Sequence, residues 1–234
     1  MNPHYKYLFI DIASISVPFL WSFEKKVQFV QYWKALFIAI FVTASIFIPW
    51  DIAFTMHGNW GFNEKYLTGI YLFGLPIEEI LFFICIPYAS VFTHEALKYY
   101  LPKNPIERYS KVISITLLVL LLIVLLINLD KQYTVSATFL AIIEIVVFQF
   151  WLKSKDLGRI YFSYLVVLIP FFIVNGLLTG SLIPEEVVWY NNAENLGIRI
   201  GTIPADDLIY AFGLLVLNMQ LFEYLKPAKS KKVS

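Results

Sequence analysis

Charge is scarce in this chain. Only 15% of its 234 residues are Asp, Glu, Lys or Arg, and the net charge is +1; an ordinary soluble domain is nearer a quarter charged. With no basic patch interleaved with aromatics, that balance argues against a nucleic-acid partner. Cysteine is rarer still. Cys85 stands alone, which excludes an intrachain disulfide and a cysteine-based metal cluster and leaves it as a small buried hydrophobe. No G-x-G-x-x-G fingerprint follows a strand-like run, so no dinucleotide-binding domain is expected. The opening Met1 to Phe23 has no small-residue cleavage site after its apolar part and reads as a retained first span.

What the chain has instead is apolar length. It is 59% hydrophobic with a mean hydropathy of +0.69, and the apolar residues come in long blocks. A bilayer-spanning helix needs roughly 20 such residues, and spans are predicted near 5–23, 33–53, 76–97, 112–128, 134–152, 161–180 and 204–225. The fourth, from Ile113 to Asn128, is nearly pure Leu, Ile and Val and reads as lipid-facing. With the N-terminus outside, 14 of the 18 Lys and Arg residues fall on the cytoplasmic side; only Lys6, Lys65, Lys131 and Arg199 fall opposite. This bias predicts an N-out, C-in topology with an odd number of spans. All six tryptophans lie near span ends or in adjoining loops, as interfacial aromatics do.

An internal repeat runs through the chain. Leu75 to Phe82 (LPIEEILF) matches Ile203 to Tyr210 (IPADDLIY) position by position at an offset of 128. In the same register Gly69 falls on Gly197, and Phe62-Asn63 falls on Tyr190-Asn191. Both motifs start an outside-to-inside span, the third and the seventh. The expectation is therefore an all-α, polytopic membrane helix bundle of about seven helices built as parallel 3+1+3 repeats. Residues 1–97 form the first repeat, 98–133 a connector with the fourth helix, and 134–234 the second repeat with a basic cytoplasmic tail.

Part of the motif is a good helix start. Proline suits a helix's first turn, and carboxylates there gain about 0.3–1 kcal/mol from the helix dipole. A start signal does not require two acids twice, however. Glu78 and Phe82 are four apart and share a helix face, as do Asp206 and Tyr210. A carboxyl group held against aromatic surface can stay protonated near neutrality, and a ring face can stabilise a passing cation. Asp11 and Asp51 lie where they can approach the motif acids. Glu144, Asn175 and Asn218 lie within the fifth, sixth and seventh spans. Function is the default for an intramembrane carboxyl group; for Asp11 and Glu144 a helix–helix hydrogen bond is the competing reading. Glu95 and Glu223, at cytoplasmic ends beside lysines, read as solvated, and Glu185, Glu186 and Glu194 as part of a wetted outer loop.

Pro76-Ile77-Glu78-Glu79 and Pro204-Ala205-Asp206-Asp207 resemble the P-x-E-E/D signature of the small membrane lycopene cyclases: the bacterial heterodimeric type, the fused bacterial and archaeal type, and the cyclase half of fungal bifunctional enzymes. Trp50-Asp51 and the Gly58 to Phe62 loop (GNWGF) fit the same pattern, and the resemblance covers essentially the whole chain. Asp206 departs from it, since the family more often has Glu there, which weakens that position as a proton donor. The resemblance implies a cofactor-independent, metal-free isomerisation. A carboxyl group protonates the acyclic ψ end of a carotenoid, the cation closes a six-membered ring, and a carboxylate removes a proton to leave a β end. It implies Glu78, Glu79, Asp207 and Asp206 as catalytic residues with Asp51 in support, and Phe82, Tyr210 and Asn175 against the substrate. The residues do not separate donor from acceptor. The partners implied are a lipid-soluble carotenoid (lycopene), membrane lipid and other enzymes of the carotenoid pathway, in the cell membrane.

Three other readings compete. A parallel 3+1+3 bundle is also the plan of small transporters, where intramembrane acids serve proton coupling; the acids here sit at helix entrances, and no matching Pro-Gln pair lies within the spans. A retinal-binding seven-helix protein needs a Schiff-base lysine, and Pro204 to Leu225 contains none. A purely structural membrane protein leaves the acidic repeat unexplained.

Overall fold

A computed structural model describes residues 2–104 and 106–227; Lys229, Lys231 and Lys232 of the basic tail lie outside the described residues. The described residues form a bundle of seven helices: α1 (Lys6–Trp21), α2 (Trp33–Met56), α3 (Ile77–Tyr100), α4 (Ser110–Ile127), α5 (Gln132–Ile145), α6 (Leu157–Leu178) and α7 (Asp206–Leu225). Six are long and apolar enough to cross a membrane. The exception is α1, whose 16 residues reach only about 24 Å at 1.5 Å per residue. The fifth span continues past α5 as a π-helical segment, Val146–Trp151. The sixth helix starts at Leu157, ahead of the expected position 161. Arg159 can sit inside it because its guanidinium donates to the Leu101 and Pro102 carbonyls at 2.8 and 2.7 Å.

α1 lies along α3, and α5 along α7; α2, α3, α6 and α7 enclose the main core around Leu36, Phe47, Phe83, Leu215 and Met219. The connector α4 leans on α5 and buries only Ser114 and Leu121, so most of its Leu, Ile and Val surface faces outward.

The two long loops before α3 and α7 fold rather than wander. Each makes a hairpin: β2 (Tyr71–Leu72) pairs with β3 (Leu75–Pro76), and β5 (Arg199–Ile200) with β6 (Ile203–Pro204). A further strand from each, β1 (Trp60–Phe62) and β4 (Val188–Tyr190), pairs with the other across the molecule. In that ladder Gly61 stands opposite Trp189, its own counterpart at the 128-residue offset. The Asn63 N–H donates to the Val187 carbonyl and the Asn191 N–H to the Asn59 carbonyl, both at 2.8 Å. Each bond is the other's image under the repeat. A local two-fold axis therefore passes between the two halves, and the acidic motifs lie beneath it.

Candidate active site

Neighbouring residues on a helix point about 100° apart, so each acidic pair faces two ways. The first acid turns back to its own loop. Glu78 Oε1 accepts from the Thr68 backbone N–H at 2.7 Å, and Asp206 Oδ2 from the Leu196 N–H at 3.0 Å. Asp206 also accepts from the Thr134 hydroxyl at 2.5 Å. Both are fully buried, and each fastens a loop to the helix it precedes.

The second acid turns inward. Glu79 accepts from the Tyr7 hydroxyl of α1 at 2.5 Å, and Asp207 from the Tyr133 hydroxyl of α5 at 2.7 Å. A third pair, Asp51 of α2 and Asn175 of α6, 124 positions apart, lines the same space as Glu79 and Asp207, and Asn175 donates to Asp207 at 2.7 Å. The halves then diverge. Asp51 accepts from Trp60 Nε1 at 2.6 Å and from the Thr55 hydroxyl at 3.2 Å, whereas Asp207 gains a third donor, the Tyr190 hydroxyl, at 3.0 Å. Tyr190 belongs to β4, outside the spans. Burial, and after it the Asp207 and Glu79 carboxyl groups, push its phenol above the ordinary range, so it remains a donor.

These groups surround one chamber walled by rings. Trp60 and Tyr133 lie 5.0 Å apart between centroids, Tyr133 stacks on Tyr190 at 6.1 Å, and Tyr210 is backed by Trp50 at 5.0 Å. The arrangement sets three carboxyl groups, each hydrogen-bonded, against an aromatic surface shielded from water.

The lycopene cyclase family model matches residues 4–97 and 130–225, taking in both halves of this chamber. The chain belongs to the lycopene cyclase family. No curated protein and no solved structure matches it. Family membership carries a carotenoid cyclase role and makes the chain a membrane protein.

Of the residues singled out from the sequence of this lycopene cyclase family member, the structure brings Asp51, Glu79, Asp207, Phe82, Asn175 and Tyr210 to the chamber. Glu78 and Asp206 are not part of its lining. The ring that shares the chamber with each carboxyl is three residues along the helix, Glu79 with Phe82 and Asp207 with Tyr210, where the sequence had paired residues four apart. Asp11 and Glu144 are buried with no hydrogen-bond partner among the described residues and stand off the chamber. Of the lining residues that the sequence did not single out, four donate to the carboxyl groups: Tyr7, Trp60, Tyr133 and Tyr190. The available signal was the repeat, since Tyr7 and Tyr133 open the first helix of each half, 126 positions apart.

At the far end of α3 and α7 the expectation of solvated acids is overturned. Glu95 and the Glu223 carboxyl are 4% and 5% exposed. Their ligand atoms and one from His94 lie within 4.8 Å of one another, a spacing that a metal ion requires. Two ammonium groups already fill the cluster: Lys98 contacts Glu223 at 2.6 Å, and Lys226 contacts Glu223 at 3.0 Å and also Glu95. It is an ion-pair cluster.

Proposed function

We propose that this chain, in the cell membrane, converts an acyclic ψ end of lycopene to a β ring, with Glu79 giving the proton and Asp207 taking one back. The observation that carries this reading is the unequal hydrogen bonding of three carboxyl groups in one chamber. Among the described residues Glu79 accepts from Tyr7 alone, while Asp51 accepts from Trp60 and Thr55, so Glu79 is the carboxyl group least supported as an anion and the one that keeps its proton. Asp207 accepts from three donors, an environment that favours a carboxylate. One acid and one base therefore stand ready together.

The atoms balance without an oxidant or a reductant. The Glu79 proton adds to the terminal double bond, leaving a carbocation at the substituted carbon. The neighbouring double bond attacks that carbon and closes the six-membered ring. The ring-borne cation loses a proton from the adjacent carbon to Asp207, which restores a double bond. The faces of Tyr210 and Trp60 lie in the chamber where the cation forms, and such contacts are worth roughly 2 kcal/mol when dry. Phe82 and Asn175 position the end of the chain.

The test is pigment chromatography of lycopene-accumulating bacterial cells expressing the chain, beside a Glu79→Gln variant of equal abundance. Wild-type cells should turn lycopene into β- or γ-carotene and the variant should leave it unchanged. Unchanged lycopene beside well-inserted wild-type protein would sink the assignment.

A further inference from the structure

The chamber is not closed on its apolar side. Past Phe82, Ile86, Phe171 and Leu215 it runs on into a groove between α1, α3 and α6, and these residues with Asn175 line both spaces. Small side chains keep the groove open: Ala13 and Ser14 on α1, Ala89 and Ser90 on α3. Along α3 it extends from Phe82 to Thr93, about 16 Å of helix. Ala13 and Val17 form an exposed lip, where the groove meets the lipid-facing surface.

The pseudo-symmetry says where a second groove would be: between α5, α7 and α2. There the counterparts of the lining residues meet directly. Tyr210, which stands for Phe82, packs its ring 5.2 Å from Phe47 and 5.0 Å from Trp50, which stand for Phe171 and Val174 at the 124-residue offset that sets Asp51 of α2 on Asn175 of α6. Asn218, which stands for Ser90, donates to Thr43, which stands for Val167, at 2.7 Å. Larger side chains and a hydrogen bond close on this side the gap that small ones leave on the other.

We infer that the groove between α1, α3 and α6 seats the polyene of the carotenoid, so that one ψ end reacts per binding event and a monocyclic product is set free before the other end can react. This rests on the cyclase reading of the chamber. A long hydrocarbon matches an apolar slot that opens to lipid at one end and stops at the acids at the other. With the counterpart slot filled, the far end of the same molecule reaches the acids only after release and reversal.

Two substitutions test the groove in full-length protein in bacterial membranes. Ala89→Phe fills it from its floor, and Ala13→Phe fills it from the exposed lip, where folding is not at stake. Each is given lycopene and a short acyclic apocarotenoid with one ψ end, whose polyene stops before Ala89. Overpacking should lower lycopene conversion roughly tenfold or more while the short substrate is converted as by wild type. Unchanged lycopene conversion in both variants, or equal losses on both substrates, overturns the groove. If the wild type converts neither substrate, it is the cyclase reading that fails. The one-end inference is read by a pulse of labelled lycopene chased with excess unlabelled lycopene. Labelled monocyclic carotenoid should persist through the chase; labelled bicyclic product formed without it overturns the inference.

Discussion

At the scale of single residues, the two acids of each motif are adjacent in sequence and divided in work. Glu78 holds a backbone N–H of its loop; Glu79 accepts from Tyr7 and lines the chamber with Asp51. Isosteric substitutions should therefore separate them. Glu78→Gln keeps an amide oxygen where Thr68 needs an acceptor, so conversion of lycopene should stay near that of wild type. Glu79→Gln removes the proton to be given, a role typically worth about 10²–10⁴-fold. Comparing initial rates in membranes of equal protein content checks both; equal losses would mean the division is wrong. Tyr7→Phe belongs to the same scale. It takes from Glu79 its phenol donor, a loss of about 0.5–1.5 kcal/mol, whereas Tyr133→Phe leaves Asp207 with Asn175 and Tyr190. Tyr7→Phe should therefore be the slower of the two in the same assay.

At the scale of elements, the helices were legible because bilayer thickness dictates long apolar runs, and α2 to α7 overlap the runs that the sequence shows. The hairpins were not. Strands of two or three residues carry no readable period, and the β1–β4 ladder above them joins loops some 128 residues apart. The same limit hid half of the site: Tyr7, Trp60 and Tyr133 read as ordinary interfacial or helical aromatics until pairing across the molecule shows what they hold. The repeat did leave one mark in the loops, Gly69 on Gly197. Both adopt left-handed backbone, φ +82° and +68°, and a Cβ added at either would meet nothing within 4 Å. Alanine at these positions should thus cost only the strain of that conformation, about 1–2 kcal/mol. Thermal unfolding of Gly69→Ala and Gly197→Ala in detergent should show similar drops, since the two loops are images of each other. A large difference between them would mean that the loops are not held alike.

At the scale of the molecule, the register that joins the two acidic motifs also reaches the other end of the bundle. Glu95 and Lys98 of α3 stand for Glu223 of α7 and Lys226 at its C-terminal end, and the pairs cross: Lys98 to Glu223, Lys226 to Glu95. The halves are thereby tied at both ends, by β1 and β4 above the acids and by this cross-brace below. Opening a buried pair by removing one partner costs about 3–5 kcal/mol. Lys226→Met should approach that range, since its side chain is 14% exposed, and Lys98→Met, at 28%, should fall below it. Burial opposes the Lys226 charge, yet the Glu95 and Glu223 carboxylates outweigh it and hold the ammonium above its ordinary range. Its contribution is therefore complete below the unfolded value of about 10.4 and is lost only as pH rises through the higher folded one, so the effect of Lys226→Met should be the same at pH 6 and pH 8. The brace lies sixteen residues along α3 from Glu79, about 24 Å. The melting temperature should fall in both variants while lycopene conversion per folded molecule, assayed well below it, stays unchanged. A fall in conversion at a temperature where the protein remains folded would mean that the brace also sets the geometry of the acids, and that the two halves move as one lever about the axis between them.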